Sequence, residues 1–446
     1  MNRMKMKHIF SFVVFLLAGL VLNAQTVNKI DFEEYDLDNG LHVILHQDNS
    51  TPVVTVSVMY HVGAKNERPD RTGFAHFFEH LMFEGTKNIA RGEYSEIVER
   101  AGGTLNANTS ADRTYYYELM PPHQLELGLW LEAERMLHAK VDSVGIATQK
   151  KVVIEEKKQS YDNQPYGDIL IQTQKRAFEK HPYQWTTIGH EDHIRAAKDE
   201  EFKAFYDEFY VPNNAVLVVA GDIEMDQAKE WIDKYYAGIP RGEGDIYRPS
   251  VVEPEKHAEI RDTVYDNIQL PMVIQAYHTP AMGTEDYYAV DMLSSVLSGG
   301  PSSRLYKKLV DEKQVALQVG LFPLPYEDPS LALTFALPNM GKDPKELENA
   351  MDQEVERIKS ELITDKEFQK LRNQYESQFV NQNASMAGLA NNLARYHTFF
   401  DNADLINNEL DRYMAVTKED IQRVAQKYFR KDNRVVLYYL PEPKQD

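Results

Sequence analysis

The 446-residue sequence contains no cysteine, and this absence excludes several kinds of site at once. Without thiols the chain has no disulfide framework, no cysteine nucleophile and no cysteine-ligated metal or iron–sulfur centre. Any metal site must therefore be built from histidine and carboxylate side chains. After residue 24 the sequence also lacks an apolar run of the roughly 20 residues that a transmembrane helix needs, which predicts no stable membrane span.

Positive charge is scarce relative to negative charge. The chain has 49 Lys and Arg residues against 69 Asp and Glu residues, which gives a formal net charge of -20. A negative field of this size disfavours nucleic acid and anionic membranes as partners, and it weakly favours cationic peptides. The hydrophobic content of 43% is ordinary for a globular protein, so we expect a folded chain rather than a disordered one.

The N-terminus has the composition of a secretory signal peptide. Arg3, Lys5 and Lys7 give it a positive start, an apolar run covers residues 9–22, and Ala24 offers a small residue for cleavage. Because this run is short for a bilayer span, we favour a signal peptide at 1–24 over the alternative of a membrane anchor. The pattern predicts a protein that is secreted or periplasmic.

The mature chain divides into two halves of similar length. Residues 241–256 are rich in proline, glycine and charge and form the best linker, so we predict domains at 25–240 and 257–446. Each half ends with a helical pattern, an asparagine and an apolar strand, at residues 209–219 and 428–438. This correspondence indicates a diverged repeat.

Strand and helix patterns are mixed within each half. Strand patterns at 53–60 and 104–120 are followed by helical patterns at 122–140 and 149–161. Each half is therefore expected to be an α+β unit, in which helices pack on one face of a sheet.

A histidine pair within residues 72–86 carries the clearest chemical signal. On a helix His76 and His80 are four residues apart, so their imidazoles share one face and can bind one Zn²⁺. Glu79 lies next to that face, where it can hold a metal-bound water and accept its proton. Such a pair alone is most often a solvated helix face. Here the flanks are apolar on nearly all sides, and a metal ion would satisfy three polar side chains that are costly to bury.

A family resemblance begins at this segment. Residues 73–86, GFAHFFEHLMFEGT, resemble the inverted zinc-binding motif of the pitrilysin family, the inverzincins, which includes insulin-degrading enzymes and mitochondrial processing peptidases. Residues 102–109 (GGTLNANT), 181–190 (HPYQWTTIGH) and 300–305 (GPSSRL) are also similar to family motifs, so the resemblance covers nearly the whole mature chain. It implies a two-repeat bacterial member with two homologous α+β halves, each a mainly antiparallel sheet with helices on one face, that form half of a clamshell around a peptide.

The same resemblance implies a third zinc ligand on a separate helix. Glu156 fits the family spacing better than Glu155, which remains the alternative, and the segment taken alone reads as a solvated run of charge. Gln149 stands where many relatives carry an acidic residue, which weakens the outer-shell role expected there. One Zn²⁺ per chain is expected, because the matching segment of the second half has no ligands.

Substrate contacts are also implied by the resemblance. Residues 107–109 (Ala107, Asn108 and Thr109) would bind the peptide backbone as an added strand, with Asn106 supporting the site, although an ordinary edge strand has the same pattern. Arg304 matches a family arginine that binds the substrate carbonyl, whereas Leu317 stands in place of a family tyrosine.

These observations favour a zinc-dependent endopeptidase that hydrolyses peptides or unfolded protein segments, with Glu79 as the base. The alternative is a catalytically weak or inactive subunit of a heterodimeric peptidase that acts as a peptide-binding scaffold. By analogy with short relatives, we expect a homodimer or a heterodimer with a paralogous subunit.

Overall fold

Two β-sheets, one in each half of the chain, form the framework of the fold. The computed structural model describes residues 29–443, so the predicted signal peptide at 1–24 lies outside the described residues. The first sheet has the strand order β1-β2-β6-β3-β5-β4, and the second has the order β7-β11-β8-β10-β9. The strands of the first sheet are β1 (Glu33–Asp36), β2 (His42–Gln47), β3 (Val54–Tyr60), β4 (Thr104–Thr109), β5 (Thr114–Met120) and β6 (Ala215–Gly221). Those of the second sheet are β7 (Ile260–Asp266), β8 (Met272–Thr279), β9 (Ala316–Leu324), β10 (Ser330–Pro338) and β11 (Arg434–Pro441).

The second sheet repeats the topology of the first from β2 onward. In both sheets the first and last strands of this set pair in parallel, β2 with β6 and β7 with β11. The other neighbours pair antiparallel, and β4 and β9 occupy equivalent edges. The predicted α+β fold with two mainly antiparallel sheets is therefore confirmed.

Helices connect the strands and pack against the sheets. Those of the first half are α1 (Phe74–Leu81), α2 (Glu93–Arg100), α3 (Leu125–His138), α4 (Ser143–Lys157), α5 (Ile169–Ala177), α6 (Glu191–Ala196), α7 (Asp199–Phe209) and α8 (Met225–Tyr236). Those of the second half are α9 (Glu285–Ser298), α10 (Pro344–Ser360), α11 (Asp365–Gln382), α12 (Met386–Phe400), α13 (Leu405–Ala415) and α14 (Lys418–Tyr428). Among residues 29–443, none of these helices has the length and apolar character required to cross a bilayer.

Helix α4 differs from the helix expected at 149–161. It begins at Ser143, because the Asp142 side chain caps its first turn by accepting a hydrogen bond from the Gly145 N–H (2.8 Å). It ends at Lys157, and a π-helical turn follows over Lys158–Asp162. Glu156 therefore lies in the last regular turn of the helix, one residue before its end.

Each half lends a helix to the sheet of the other half. One face of β3 belongs to the first-half core through Val54, Val56 and Val58. Thr55 and Ser57, on the other face of this strand, are also fully buried, because α12 of the second half packs against β3 and β6. Reciprocally, α5 packs against β8 and β11. The buried Lys65 adds an ionic connection through Asp112 (3.2 Å) and Asp328 (3.3 Å). Because of these contacts, residues 32–443 form one compact unit.

Candidate active site

The helix that carries the histidine pair is α1, and a buried carboxylate holds its N-terminus. Gly73 adopts a positive φ of 93° at the start of the helix, and it has no side chain that can cap the first turn. Glu67 takes this role by accepting hydrogen bonds from the N–H groups of Gly73 (2.8 Å) and Ala75 (2.9 Å). Burial raises the pKa of Glu67 to about 8. The local sequence pattern gave no sign of this contact, because Glu67 precedes the helix by several residues.

The structure brings His76, His80 and Glu156 together between α1 and α4. The two Nε2 atoms lie 3.3 Å apart. Glu156 Oε2 is 3.1 Å from His80 Nε2, and Glu156 Oε1 is 3.6 Å from His76 Nε2. One ligand atom from each residue lies within 4.8 Å of the others, so all three can reach a common centre. Glu155 does not take part, since its side chain is 58% exposed and faces Lys158.

The electrostatics of this cluster suit a cation. Burial lowers the pKa of His76, and the positive charge of a protonated His80 acts in the same direction. The close approach of the His80 imidazole holds the pKa of the Glu156 carboxyl below its ordinary value, against the effect of burial. Together these shifts favour neutral His76 and ionised Glu156, which are the forms that bind metal.

Glu79 lies on α1 beside the cluster and is oriented by the neighbouring strand. Thr109 Oγ1, at the end of β4, donates a hydrogen bond to Glu79 Oε2 (2.7 Å). This bond fixes one carboxylate oxygen, and among residues 29–443 no hydrogen bond engages Oε1, which can accept another donor. Sequence reasoning placed Thr109 among the backbone-binding residues and did not foresee its side-chain contact with Glu79.

Strand β4 forms the edge of the first sheet next to α1. It pairs with β5 on one side, and among residues 29–443 no strand pairs with its other side. Ala107 is buried, whereas Asn106 and Asn108 are exposed on the opposite face. The Asn106 side chain accepts a hydrogen bond from the Ala107 N–H (2.8 Å). The free edge can therefore accept an extended peptide as a further strand.

Three further residues singled out from the sequence lie elsewhere. Gln149 Nε2 donates to Glu84 Oε1 (2.6 Å), so its amide contacts a neighbouring carboxylate rather than the histidines. Arg304 forms a two-bond ion pair with Glu367 in the second half (2.9 and 3.1 Å). Leu317 lies on the edge strand β9 and is 57% exposed. Among the described residues, no hydrogen bond or ion pair joins these side chains to the histidine pair.

A buried arginine supports the other end of α1. The guanidinium of Arg135 is fully buried and forms ion pairs with Glu132 (3.2 Å) and Glu118 (3.7 Å). It also stacks against the ring of Tyr116 at 4.4 Å, and the Tyr116 hydroxyl donates to the Phe78 carbonyl (3.0 Å). The charged network thus holds α1 against the core. Charged residues usually lie at the surface, so the sequence gave no signal for it.

Comparison with protein families assigns the chain. Residues 42–190 match the family model described as insulinase (peptidase family M16), and residues 197–375 match that of the peptidase M16 inactive domain. The zinc protease PqqE of Helicobacter pylori is 31% identical over 434 residues, which cover 97% of each chain. This chain belongs to peptidase family M16. The predicted membership of the pitrilysin-type family is thereby confirmed.

Other M16 proteins share the sequence and the fold. A Bacillus subtilis protein named uncharacterized zinc protease YmxG is 25% identical over 415 residues, which cover 91% of this chain and 97% of that protein. The crystal structure of a protease from Helicobacter pylori matches with a TM-score of 0.88 at 30% identity, over 92% of this chain and 100% of that one. An M16 inactive domain from Pseudomonas fluorescens matches with a TM-score of 0.82 at 17% identity, over 93% of this chain and 99% of that one, which shows the shared fold alone.

Proposed function

We propose that this M16 protein is a zinc-dependent endopeptidase that cleaves peptides or unfolded protein segments. The observation that carries the proposal is the convergence of His76 Nε2, His80 Nε2 and the Glu156 carboxylate on one centre, with Glu79 on the same helix. A relative at 31% identity is named a zinc protease, which supports the same activity.

The donor set fits a zinc ion. Two imidazoles and one carboxylate form a ligand set found in catalytic zinc sites, which keep a further position for water or substrate. His76 Nδ1 and Glu156 Oε2 are buried without a hydrogen-bond partner among the described residues, so the cluster is not satisfied by the protein alone. When bound, zinc would polarise the scissile carbonyl and lower the pKa of water toward about 7. We propose one zinc ion per chain.

Glu79 would act as the proton carrier. Thr109 occupies Oε2, so Oε1 is the atom available to take a proton from the attacking water and to deliver it to the leaving amine. The Thr109 bond also fixes the plane of the carboxylate, which reduces the reorganisation needed during the reaction.

Strand β4 would hold the substrate. Pairing of a peptide with the edge at residues 107–109 uses backbone groups, so it would allow peptides of varied sequence to bind in extended form. Asn106 and Gln149 would then contact neither the peptide nor the metal directly and would support the residues around the site. Arg304 would contact substrate only by exchanging Glu367 for a new partner, because its guanidinium is paired in this structure.

Glu79→Gln is the variant that tests the proposed role of Glu79. The amide cannot accept the proton of water, whereas the three metal ligands remain, so zinc content should be unchanged and hydrolysis abolished. Metal analysis by mass spectrometry and turnover of a fluorogenic peptide are the measurements. Undiminished turnover in this variant would remove Glu79 from the mechanism.

A second candidate is a scaffold subunit with little activity of its own. Leu317, exposed on β9 in place of the family tyrosine, favours this reading, because it offers no hydroxyl to a substrate carbonyl. We propose in either case a homodimer or a heterodimer with a paralogous subunit, in a secreted or periplasmic setting. Light scattering of the purified chain, combined with turnover measured on each species, separates the two candidates.

A further inference from the structure

A polar network links the helix that carries the two histidines to the helix that carries Glu156. Its centre is Glu84, which lies three residues beyond the end of α1, and its N–H donates a hydrogen bond to the Leu81 carbonyl (3.0 Å). The Glu84 side chain is only 9% exposed, and a carboxylate is costly to bury unless it has partners. The partners of Glu84 therefore determine how the segment after α1 is held.

The first partner of Glu84 lies on α4. Gln149 Nε2 donates a hydrogen bond to Glu84 Oε1 (2.6 Å). Gln149 Oε1 is buried and has no hydrogen-bond partner among residues 29–443, so the orientation of this amide depends on the bond to Glu84. Gln149 precedes Glu156 by seven residues, which is about two helical turns, so both side chains project from the same face of α4. The bond to Glu84 thus holds the face of α4 that also carries Glu156.

The second partner of Glu84 connects it to the start of α4. Arg91 Nη1 donates a charged hydrogen bond to Glu84 Oε2, and Arg91 Nη2 donates to both carboxylate oxygens of Asp142 (3.0 and 3.2 Å). Asp142 is the residue whose side chain caps the first turn of α4 through the Gly145 N–H. Glu84 is therefore joined to α4 at two places, at the N-terminus of the helix and two turns before Glu156.

The close approach of α4 to the end of α1 requires a glycine. A Cβ at Gly145 would lie 2.9 Å from Arg91 Nη1 and 3.2 Å from Leu81 Cδ1. Apolar contacts also hold α4, since Val153 belongs to the first-half core. Apolar burial has no preferred direction, however, whereas hydrogen bonds depend steeply on distance and angle. The bonds of Glu84 can therefore select one position of α4 along its neighbour.

The metal cluster is sensitive to that position. His76 and His80 lie on one helix with their Nε2 atoms already 3.3 Å apart, so only Glu156 must be brought in by a separate element. A helix advances about 1.5 Å per residue, whereas zinc–ligand distances vary by only about 0.2 Å. A displacement of α4 by a fraction of one residue would therefore weaken the third ligand.

We propose that Glu84 is a positioning residue for the metal site, which holds α4 where Glu156 meets His76 and His80. The inference rests on the proposed zinc-dependent function and assigns a role to a residue outside the ligand set. Among residues 29–443 no hydrogen bond or ion pair joins Glu84 to the three ligands, so it would act through α4. Loss of such an outer-shell contact typically weakens metal binding about 10–100-fold.

The zinc affinity of the folded protein tests this proposal, measured at pH 8 by competition with a chromogenic chelator. Gln149→Glu sets a second carboxylate against Glu84, so like charges should push α4 away and weaken zinc binding about 10–100-fold. Adding Glu84→Gln restores an amide–carboxylate pair with the roles reversed, so the double variant should bind zinc at least tenfold more tightly than Gln149→Glu alone. Added negative charge without displacement would instead tighten cation binding, so the sign of the effect separates positioning from simple attraction.

Further variants complete the test. Gln149→Leu removes the bond without adding charge and should also weaken zinc binding, whereas Glu99→Gln removes an exposed carboxylate of the same half and should leave zinc affinity unchanged. Circular dichroism and urea unfolding of the zinc-free proteins show which variants fold, and a change in stability without a change in zinc affinity would overturn the positioning role.

Two other outcomes would also contradict the proposal. If both single variants at Gln149 bind zinc as tightly as the parent, or if Glu84→Gln does not improve Gln149→Glu, Glu84 does not position the site, and the proposed peptidase function is unaffected. If the parent itself binds no zinc, the positioning role and the proposed function both fail.

Discussion

Replacing Arg135 with methionine tests how much of the stability of the first half depends on one buried ion cluster. Arg135 is fully buried, as are its partners Glu118 and Glu132, at 3.7 and 3.2 Å. Its guanidinium also lies 4.3–4.4 Å from three ring centroids, those of Phe83, Tyr94 and Tyr116. Methionine fills a similar volume without charge, so the change leaves two buried carboxylates with no cation.

The magnitude follows from the cost of unpaired buried charge. Removing one partner of a buried ion pair costs about 3–5 kcal/mol. The loss also depends on pH: burial raises the pKa of Glu118 and Glu132, and removing Arg135 raises both further. Above the unfolded pKa of about 4.5, the folded variant then retains protons that the unfolded chain releases, so its stability falls as pH rises. The slope reaches at most about 1.4 kcal/mol per pH unit for each carboxylate.

Urea unfolding followed by circular dichroism between pH 5 and pH 8 measures this effect. The Arg135→Met protein should approach the parent in stability at pH 5 and fall progressively below it toward pH 8. Arg68→Met is the matched control, because Arg68 is 69% exposed and its ion pair with Asp70 lies at the surface, so a change within about 0.5 kcal/mol is expected. A deficit below about 1 kcal/mol at pH 8, or parallel pH profiles for parent and variant, would refute the reasoning.

Two further predictions concern single contacts. Thr109→Val should lower kcat about 10–100-fold with zinc content unchanged, because the hydrogen bond to the Glu79 carboxylate is worth about 1.5–3 kcal/mol. Thr109→Ser, which keeps the hydroxyl, should restore most of the lost kcat. Equal kcat in Thr109→Val and the parent would show that the bond does not contribute to catalysis. Burial lowers the pKa of His397 to about 4, so between about pH 6.5 and pH 4 the unfolded chain takes up a proton at this residue and the folded chain does not. The parent therefore loses stability as pH falls through this range, and His397→Gln should make the free energy of unfolding less dependent on pH there. Identical slopes of unfolding free energy against pH in variant and parent would contradict this assignment.

The local pattern of the sequence was sufficient to place together residues that are close neighbours in the chain. His76 and His80 share a face because the helical repeat requires it, and Glu79 follows from the same geometry. Glu156 could be named only through the family resemblance, because its approach to α1 depends on the packing of a separate helix. The sequence also predicted two α+β halves, and the equivalent strand orders of the two sheets agree with that prediction.

Long-range contacts account for what was missed. Glu67 folds back onto the start of α1, and Thr109 turns its hydroxyl toward Glu79, and neither contact leaves a periodic trace in the sequence. The packing of α5 and α12, each against the sheet of the other half, was not predicted either. A strand buried by a helix from the other half has the same apolar sequence pattern as a strand buried by a helix from its own half. The burial of Arg135 was not predicted, because charged side chains usually lie at the surface.

The central claim is that His76, His80 and Glu156 bind one zinc ion. Anomalous X-ray diffraction at the zinc absorption edge, on crystals of the parent and of the Glu156→Gln variant, tests it most directly. We predict a single peak per chain, about 2.0–2.2 Å from the two Nε2 atoms and a Glu156 oxygen, that is lost or strongly weakened in the variant. A parent crystal grown with zinc that shows no peak among these three side chains, or a peak unaffected by Glu156→Gln, would contradict the account.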